Sequence, residues 1–531
     1  MSTPAWFATR LATRNYREEY VSSKDKARAA SIIEIMAAGH ADAPAVGAPD
    51  RATLSHAGLR EQIARTAGEL NALGIGRSDR VAIVLPNGPE MAVAFIALAA
   101  TATTAPLNPA YRAEELEFYL GDIEARAVLV GAEEDGPVIA VAEKLGIGVL
   151  RLHFAPDQAA GSFRIEGTPI GAPATPGHAG PDDIALLLHT SGTTSRPKLV
   201  PLSQTNLAAS ARHIGATLGL GPDDVCLNIM PLFHIHGLIA AVLSSLAAGG
   251  SVVCTPGFNA LRFFQWLSDA RPTWYTAVPT MHQAILSRAA RNPEIVAAAK
   301  LRFIRSSSAS LPAQVMAELE STFGCPVIES YGMTEAAHQM TSNQLPPGLR
   351  KPGSVGAAAG PEVAIMSPDG LLMQTGHGGE IVIRGPNVTA GYEKNLDANA
   401  SAFAHGWFHT GDQGVLDEDG YLRVTGRLKE IINRGGEKIS PLEVDDVLVD
   451  HPAVAQVVTF AMPHPKLGEE VAAAVVLREG MEATETEIRG FCSERLADFK
   501  VPRKVLILEE IPKGATGKLQ RIGLAAKLGL G

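Results

Sequence analysis

The stretch Leu188-His-Thr-Ser-Gly-Thr-Thr-Ser-Arg-Pro-Lys198 decides how the rest of this 531-residue chain is read. It continues the apolar run Ile184 to Leu188. An apolar run of that length feeding a Gly/Ser/Thr loop reads as a buried strand that delivers a flexible anion-binding loop. Hydroxyls and backbone N–H groups in such a loop can wrap phosphate oxygens, and Lys198 adds a mobile positive charge. The Gly-Lys-Ser/Thr ending of a Walker loop is missing, so this is a phosphate loop of another kind. A Ser/Thr/Gly string taken alone is more often a solvated turn, and the segments downstream decide for function.

Working outward, apolar strand-like runs alternate with helical patterns. Val81 to Leu85 precedes a helix around Glu90 to Ala100, Ala127 to Val130 one near Val138 to Lys144, and Val225 to Met230 one near Gly237 to Ala247. Trp274 to Ala277 and Phe303 to Ser306 repeat the strand theme. This alternation predicts parallel sheets covered by helices, with ligands bound at loops leaving the carboxyl ends of strands. The loop after Leu188 sits at such a point. The longest apolar run, Met91 to Pro106, carries threonines and is bounded by Glu90 and Pro106, so it reads as a buried helix and not a membrane span.

From Ala357 the texture changes. Short strand candidates (Glu380 to Arg384, Tyr421 to Thr425) lie between Gly and Asp turns and suggest an antiparallel, barrel-like region. After Arg427 come a helix near Leu442 to Val449, strands near Val454 to Ala461 and Val471 to Val476, and a helix near Glu485 to Leu496. The expected fold is therefore α/β. A large N-terminal domain over 1–427 would hold stacked mixed and parallel sheets with helices plus the barrel-like β region. A small, mobile α+β C-terminal domain would occupy 428–531. The first thirty or so residues are polar and charged and read as an arm or a first helix.

Hydrophobic residues make up 46% of the chain and charged residues 19%, so it is a core-forming chain too long for one compact core. The net charge of −10 offers no electrostatic reason to bind nucleic acid or an anionic membrane. The cysteines Cys226, Cys254, Cys325 and Cys492 are scattered without a CxxC pair, which fits reduced thiols in a cytoplasmic protein. The N-terminus lacks the basic stretch and apolar core of a signal peptide.

The 188–198 string resembles the signature phosphate loop of the adenylate-forming superfamily: acyl-CoA synthetases, luciferases and carrier-protein adenylation domains. Four further segments resemble that family in the same order. They are Tyr331-Gly-Met-Thr-Glu335, Trp407-Phe-His-Thr-Gly-Asp412, Gly426-Arg-Leu-Lys-Glu430 with Asn433-Arg-Gly-Gly436, and Pro512-Lys-Gly-Ala-Thr-Gly-Lys518. The resemblance implies a cradle for the β- and γ-phosphates of ATP in Thr190, Ser191, Gly192, Thr193, Thr194 and Lys198. Leu199 stands where the family usually has Gly. Ser310, Tyr331, Gly332 and Met333 would line the AMP site, Thr334 would touch the α-phosphate, and Glu335 would ligate Mg²⁺. Asp412 would accept both ribose hydroxyls, its two carboxylate oxygens sufficing, and Arg427 would make a second ribose or phosphate contact. Lys518 would bridge the acid and the α-phosphate. Lys429 matches the hinge about which the C-terminal domain turns between the two half-reactions, and Gly435 and Gly436 would line the channel for coenzyme A.

The acid pocket falls to Phe233 to Gly237, Ser306 to Ser310 and the residues after Glu335. These segments supply His234, Ser306, Ser308 and His338, and His236 reads as a core histidine. A dicarboxylate explains such a polar set, since its second carboxylate stays charged and must be met by donors. The segments Arg305 to Leu311, Met333 to His338, Trp274 to Thr280, Gly385 to Thr389 and Asn433 to Ser440 resemble the oxalate–CoA ligase branch of the family. That resemblance implies ATP, Mg²⁺ and coenzyme A, no nucleic acid or membrane partner, and a monomer or homodimer. The residues leave other acids open, a short- or medium-chain acyl-CoA synthetase first among them. A luciferase-like oxidoreductase, a carrier-protein adenylation domain and a regulatory ATP-binding relative also remain. Oxygen dependence, a carrier partner or absent turnover would reveal them.

Overall fold

The computed structural model describes residues 30–190, 197–512 and 519–530. Two large sheets face each other across a layer of helices. In the first, the spatial order is Ala357–Ala358, His338–Ser342, Val327–Met333, Phe303–Ser307, Trp274–Ala277, Val225–Asn228, Ser251–Cys254, Pro44–Gly47 and Leu54–Ser55. Its interior strands run parallel and its edges antiparallel. The second sheet runs Arg164–Gly167, Gly148–His153, Ala127–Gly131, Arg80–Val84, Thr103–Pro106, Ile184–His189 and Leu199–Ser203. It too is parallel inside and antiparallel at both edges.

The helices between the sheets are those that composition makes apolar all round. Pro89–Ala99 (PEMAVAFIALA) starts with proline in its first turn, where the missing N–H costs nothing, and buries nearly every side chain. It touches strands of both sheets. The expectation of one helix through Pro106 is corrected here. The helix stops at Ala99, and Thr103–Pro106 is a strand. Its two threonines prefer extended backbone, and their hydroxyls donate to Ile184 O and Ala185 O at 2.7 Å each, tying the strand to its neighbour. A second departure concerns the helix expected near Gly237. His236–Leu243 winds as a π-helix before Ser244–Ala247 resumes as α. Such wide turns are rare and concentrate at functional sites.

The strand Ile184–His189 does lie parallel to Thr103–Pro106. The chain then returns antiparallel as Leu199–Ser203, so these two paired strands flank the proposed phosphate loop. Leu199, where the family usually has Gly, is buried against Leu187, Val128 and their neighbours on the outer face of this sheet.

Beyond Ala357, Glu362–Met366, Gly378–Arg384, Phe403–Ala404, Trp407–Leu416 and Leu422–Arg427 form an antiparallel sheet. Among the described residues Glu362–Met366 and Leu422–Arg427 do not pair, so this sheet is open where a barrel-like closure was expected. A fourth sheet draws only on residues after 431: Glu437–Ile439, Ile432–Arg434, Gly468–Leu477, Val454–His464 and Lys504–Ile507. Helices Pro441–Val449 and Glu485–Ser493 accompany it, and Ile432, Val444, Leu448, Val471, Val475 and Ile488 make its own apolar core. Among the described residues no helix is long and apolar enough to cross a membrane.

Candidate active site

The strand Val327–Met333 brings Tyr331, Gly332 and Met333 to the carboxyl end of the first sheet. A single 3₁₀ turn, Thr334–Ala336, then reverses the chain into His338–Ser342. The reversal is tight. A Cβ at Gly332 would stand 1.6 Å from His338 O, so only glycine fits. Ala337 and His338 take φ values of +48° and +101°, and Ser308 takes +75°. Such conformations cost of order 1–3 kcal/mol each for residues with a Cβ and gather where surrounding structure enforces a particular geometry.

Asp412 projects from the long strand Trp407–Leu416 opposite Arg427 on the next strand. Tyr331 Oη donates to Asp412 Oδ2 at 2.5 Å, and Arg427 Nε donates to Oδ1 at 2.8 Å. The Asp412 side chain is 6% exposed, whereas half of Arg427 faces solvent. Asp412 raises the Arg427 pKa, while burial and Asp412 together raise that of the Tyr331 phenol. The result is a carboxylate with both oxygens oriented. Each retains a lone pair, as acceptance from a pair of vicinal hydroxyls requires.

Thr190 and Lys198 face each other across the mouth of the phosphate loop. Thr190 N donates to Lys198 O at 2.9 Å and Lys198 N to Thr190 Oγ1 at 3.3 Å. Ser191, Gly192, Thr193 and Thr194 lie outside the described residues, as does Lys518. Lys198 Nζ stands over the Tyr392 ring, 4.2 Å from its centroid. The Lys198 pKa is lowered by burial and by the nearby Lys429 charge, and Glu335 opposes this. Glu335 is buried, and its Oε1 accepts from Tyr392 Oη at 2.8 Å. Burial pushes the Glu335 carboxyl up, with Tyr392, Lys198 and Arg427 pulling it back. Thr334 is half-buried beside it, and Ser310 is exposed at the end of the neighbouring strand's loop. Among the described residues no cluster of three His, Cys, Asp or Glu could hold a metal ion. For a divalent cation here Glu335 would be a protein carboxylate ligand, with phosphate and water oxygens supplying most of the rest. That arrangement fits Mg²⁺, and the desolvated Glu335 charge would gain from a cation beside it.

The polar group at the other side of the Tyr331–His338 reversal centres on His236, which the sequence assigned to the core. It is buried. Its Nδ1 lies 3.0 Å from Ser308 Oγ, its Nε2 lies 2.6 Å from Thr276 Oγ1, and its ring centroid is 4.9 Å from that of His338. Ser308 and His338 therefore come together, joined by His236 and Thr276. His234 packs against Phe233, 4.5 Å between centroids, and its carbonyl accepts from Leu238 N at the start of the π-helix. Ser306 is placed differently. Strand alternation turns it to the face opposite Arg305 and Thr276, next to its cross-strand partner Glu329. Ser306 Oγ and Glu329 Oε2 are buried without a hydrogen-bond partner among the described residues. Burial pushes Glu329 up to about 8. On the His236 side, Arg305 pairs in register with Thr276 and is fully buried. Its Nη2 donates to Gln339 Oε1 at 3.2 Å, and its Nε and Nη1 have no hydrogen-bond partner among the described residues.

Three features of the junction after Arg427 were not in the sequence reading. Arg427 Nη1 lies 3.7 Å from Glu430, Glu430 lies 3.2 Å from Arg521 Nε, and Arg521 Nη2 lies 2.7 Å from Asp445. Exposed Lys429 sits within this chain of charges. Gly435 and Gly436 follow at φ of +59° and +102°, where a side chain would be strained.

Comparison with known proteins places this geometry. Residues 33–393 match the family described as AMP-binding enzyme, and residues 443–518 match the AMP-binding enzyme C-terminal domain. The chain is 47% identical over 498 residues to the oxalate–CoA ligase of Arabidopsis thaliana, covering 92% of this chain and 96% of that protein. It is 41% identical to the oxalate–CoA ligase of Saccharomyces cerevisiae, covering 84% and 86%. Among solved structures, ATP-bound MatB from Rhodopseudomonas palustris superposes with a TM-score of 0.83 at 31% identity, covering 92% of this chain and 97% of that one. The chain belongs to the AMP-binding enzyme family, the adenylate-forming superfamily.

Proposed function

We propose that this protein is an ATP-dependent oxalate–CoA ligase. In the first step an oxalate oxygen attacks the α-phosphate of ATP and diphosphate leaves. In the second the thiol of coenzyme A attacks the oxalyl-adenylate carbonyl and AMP leaves. The observation that carries the choice of acid is the buried group of His236, Ser308, Thr276 and His338. A second carboxylate would meet hydroxyls and imidazoles already held out of water, where charge-assisted hydrogen bonds are strong, whereas an alkyl chain would leave this polar wall facing hydrocarbon. Arg305, a buried cation on the same sheet face, has no carboxylate partner among the described residues, and this too favours an anionic occupant. Both oxalate–CoA ligase relatives support the same reading.

In this reading Asp412 holds the ribose hydroxyls with Tyr331 and Arg427 behind it, and Ser310, Gly332 and Met333 border the nucleotide. Thr190 through Thr194 and Lys198 bind the β- and γ-phosphates, and Thr334 meets the α-phosphate. Glu335 would hold Mg²⁺, which neutralises phosphate charge when bound. Lys518 bridges the attacking carboxylate and the α-phosphate, and His234, Ser308 and His338 surround the acid; Ser306, on the opposite sheet face beside Glu329, does not join them. The domain boundary lies at Arg427, with Lys429 as hinge and Gly435 and Gly436 beside the thiol's path.

The test is a substrate order in CoA-dependent AMP formation: oxalate well above acetate, octanoate and 4-coumarate. A site built to pair a polar substrate group rejects analogues lacking it by factors of roughly 10⁴. Faster turnover of octanoate than of oxalate would overturn the assignment.

A further inference from the structure

One loop draws together both charged side chains of the phosphate end, though nothing in its sequence announces it. In Gly385 to Glu393, Thr389 N donates to Glu335 O at 2.7 Å and Thr389 Oγ1 to Pro201 O at 2.6 Å. Four residues on, Glu393 N donates to Leu199 O at 2.9 Å, beside Lys198. The loop thus brackets the strand that carries Lys198 and the turn that carries Glu335. Between these stitches stands Tyr392, 7% exposed. Its backbone N donates to Asn399 Oδ1 at 2.7 Å, and its carbonyl accepts from Asn399 Nδ2 at 2.8 Å, so its position is set from behind. Its ring lies under the Lys198 ammonium and its hydroxyl reaches the Glu335 carboxylate.

We propose that Tyr392 is a positioning residue for the metal–triphosphate end of ATP. The hydroxyl fixes the rotamer of Glu335, and the ring face fixes Lys198, so that carboxylate and ammonium are presented at a set separation before the nucleotide arrives. The argument rests on the reading of Glu335 as the Mg²⁺ carboxylate and Lys198 as a phosphate cation. Two opposite charges left to themselves at this range would collapse into an ion pair and need to be separated when phosphate and metal enter. A tyrosine that takes a hydrogen bond's worth of Glu335 and a cation–π contact's worth of Lys198 holds them apart at little energetic cost. The two contacts are chemically separable: phenylalanine keeps the ring and loses the hydroxyl, while leucine loses both.

The experiment is calorimetric titration of the full chain with three ligands: Mg·ATP, ATP in excess chelator, and AMP. For Tyr392→Phe, Mg·ATP affinity should fall about 3- to 10-fold, the range expected from one hydrogen bond. Metal-free ATP and AMP should stay within about twofold, because Lys198, Asp412, Tyr331 and Arg427 are undisturbed. For Tyr392→Leu, metal-free ATP should weaken as well and AMP should not. A variant that weakens AMP as much as Mg·ATP would show only a structural role and overturn the proposal, as would Tyr392→Phe binding Mg·ATP like the parent. If Tyr392→Leu loses its fold, a double-mutant cycle on Glu335→Gln and Tyr392→Phe, read on Mg·ATP, takes its place. Additive losses there would also refute it. Should the unaltered protein bind Mg·ATP no more tightly than metal-free ATP, the metal role of Glu335 fails first and this proposal falls with it.

Discussion

Replacing His338 by alanine should separate substrate choice from nucleotide binding. The imidazole is 2% exposed and lies tilted against the His236 ring, so any bond it makes to an incoming carboxylate forms out of water. Hydrogen bonds to charged groups contribute about 1.5–3 kcal/mol in such settings. At 1.36 kcal/mol per decade this predicts a loss of roughly 10- to 150-fold in kcat/KM for oxalate. The loss should appear chiefly in KM, because the far carboxylate does not change during adenylation and its contact is equally strong before and in the transition state. Alanine also has a Cβ, so the +101° backbone at this position is no better suited to it than to histidine, and the backbone strain is retained. Stability should fall only by the lost ring contact and packing. The assay is diphosphate release against oxalate concentration at saturating ATP, with ATP affinity and melting temperature measured on the same preparation. Unchanged oxalate kinetics would return His338 to a packing role. An equal loss of ATP affinity would mean that the Tyr331–His338 reversal had come apart, and the inference about the pocket would be withdrawn.

Glu329 offers a test by pH. Its folded pKa of about 8 stands above the ordinary 4.5, so between these values the unfolded chain has released a proton that the folded chain keeps, and stability falls as pH rises through the window. Glu329→Gln retains an oxygen for the Leu311 N–H and has no proton to lose. Its stability should therefore decline less from pH 5 to pH 8 than the parent's, by at most roughly 4 kcal/mol at 1.36 kcal/mol per unit, read as a smaller fall in melting temperature; a parallel decline would refute the burial argument. Lys518→Ala should abolish adenylate formation, read as diphosphate exchange, and spare conversion of supplied acyl-adenylate to thioester. Lys429→Pro, which fixes a hinge dihedral, should do the reverse; equal loss of both steps in folded variants would leave the hinge reading without support.

Where a feature is local in the chain, the sequence was enough to mark it. The strand before the phosphate loop, the parallel strands at 274 and 303, and the helix and strands after Arg427 follow from apolar periodicity over a few residues. Tyr331, Glu335, Asp412 and Arg427 were marked by strings that hold a motif's spacing. What the sequence left unread shares one physical cause: a side chain's surroundings set by partners far along the chain. His236 sits in an apolar string and reads as core, but its hydrogen-bonding neighbours are 40 and 72 residues away. Tyr392 is an ordinary loop aromatic until the fold carries it to Glu335, 57 residues distant. Ser306 was grouped with Ser308 because they are near in sequence. The strand's two-residue alternation and the +75° turn at Ser308 send them into different surroundings. The run from Met91 to Pro106 shows the limit of composition: it is apolar throughout, and only the cross-strand bonds of Thr103 and Thr104 decide where helix gives way to strand.

The junction at Arg427 shows what such distant partners add to a motif that was recognised. As a string, residues 427–429 read as a hinge, which suggests only flexibility. In the folded chain the same segment carries a row of charges from Asp412 through Arg427, Glu430 and Arg521 to Asp445. These links differ in strength and in what a rotation would do to them. Asp412–Arg427 lies wholly before the proposed boundary and Arg521–Asp445 wholly after it, so both can persist while the C-terminal part turns. Of the Glu430 contacts, only the one at 3.7 Å to half-exposed Arg427 crosses the boundary; the one at 3.2 Å to Arg521 lies after it. Partly solvated ion pairs of that kind contribute about 0–1 kcal/mol each. If the C-terminal part turns about Lys429 as proposed, this ion pair would cost little to exchange and the Ser440 Oγ bond to Thr425 O would be given up with it, while Asp412–Arg427 and Arg521–Asp445 would persist on either side.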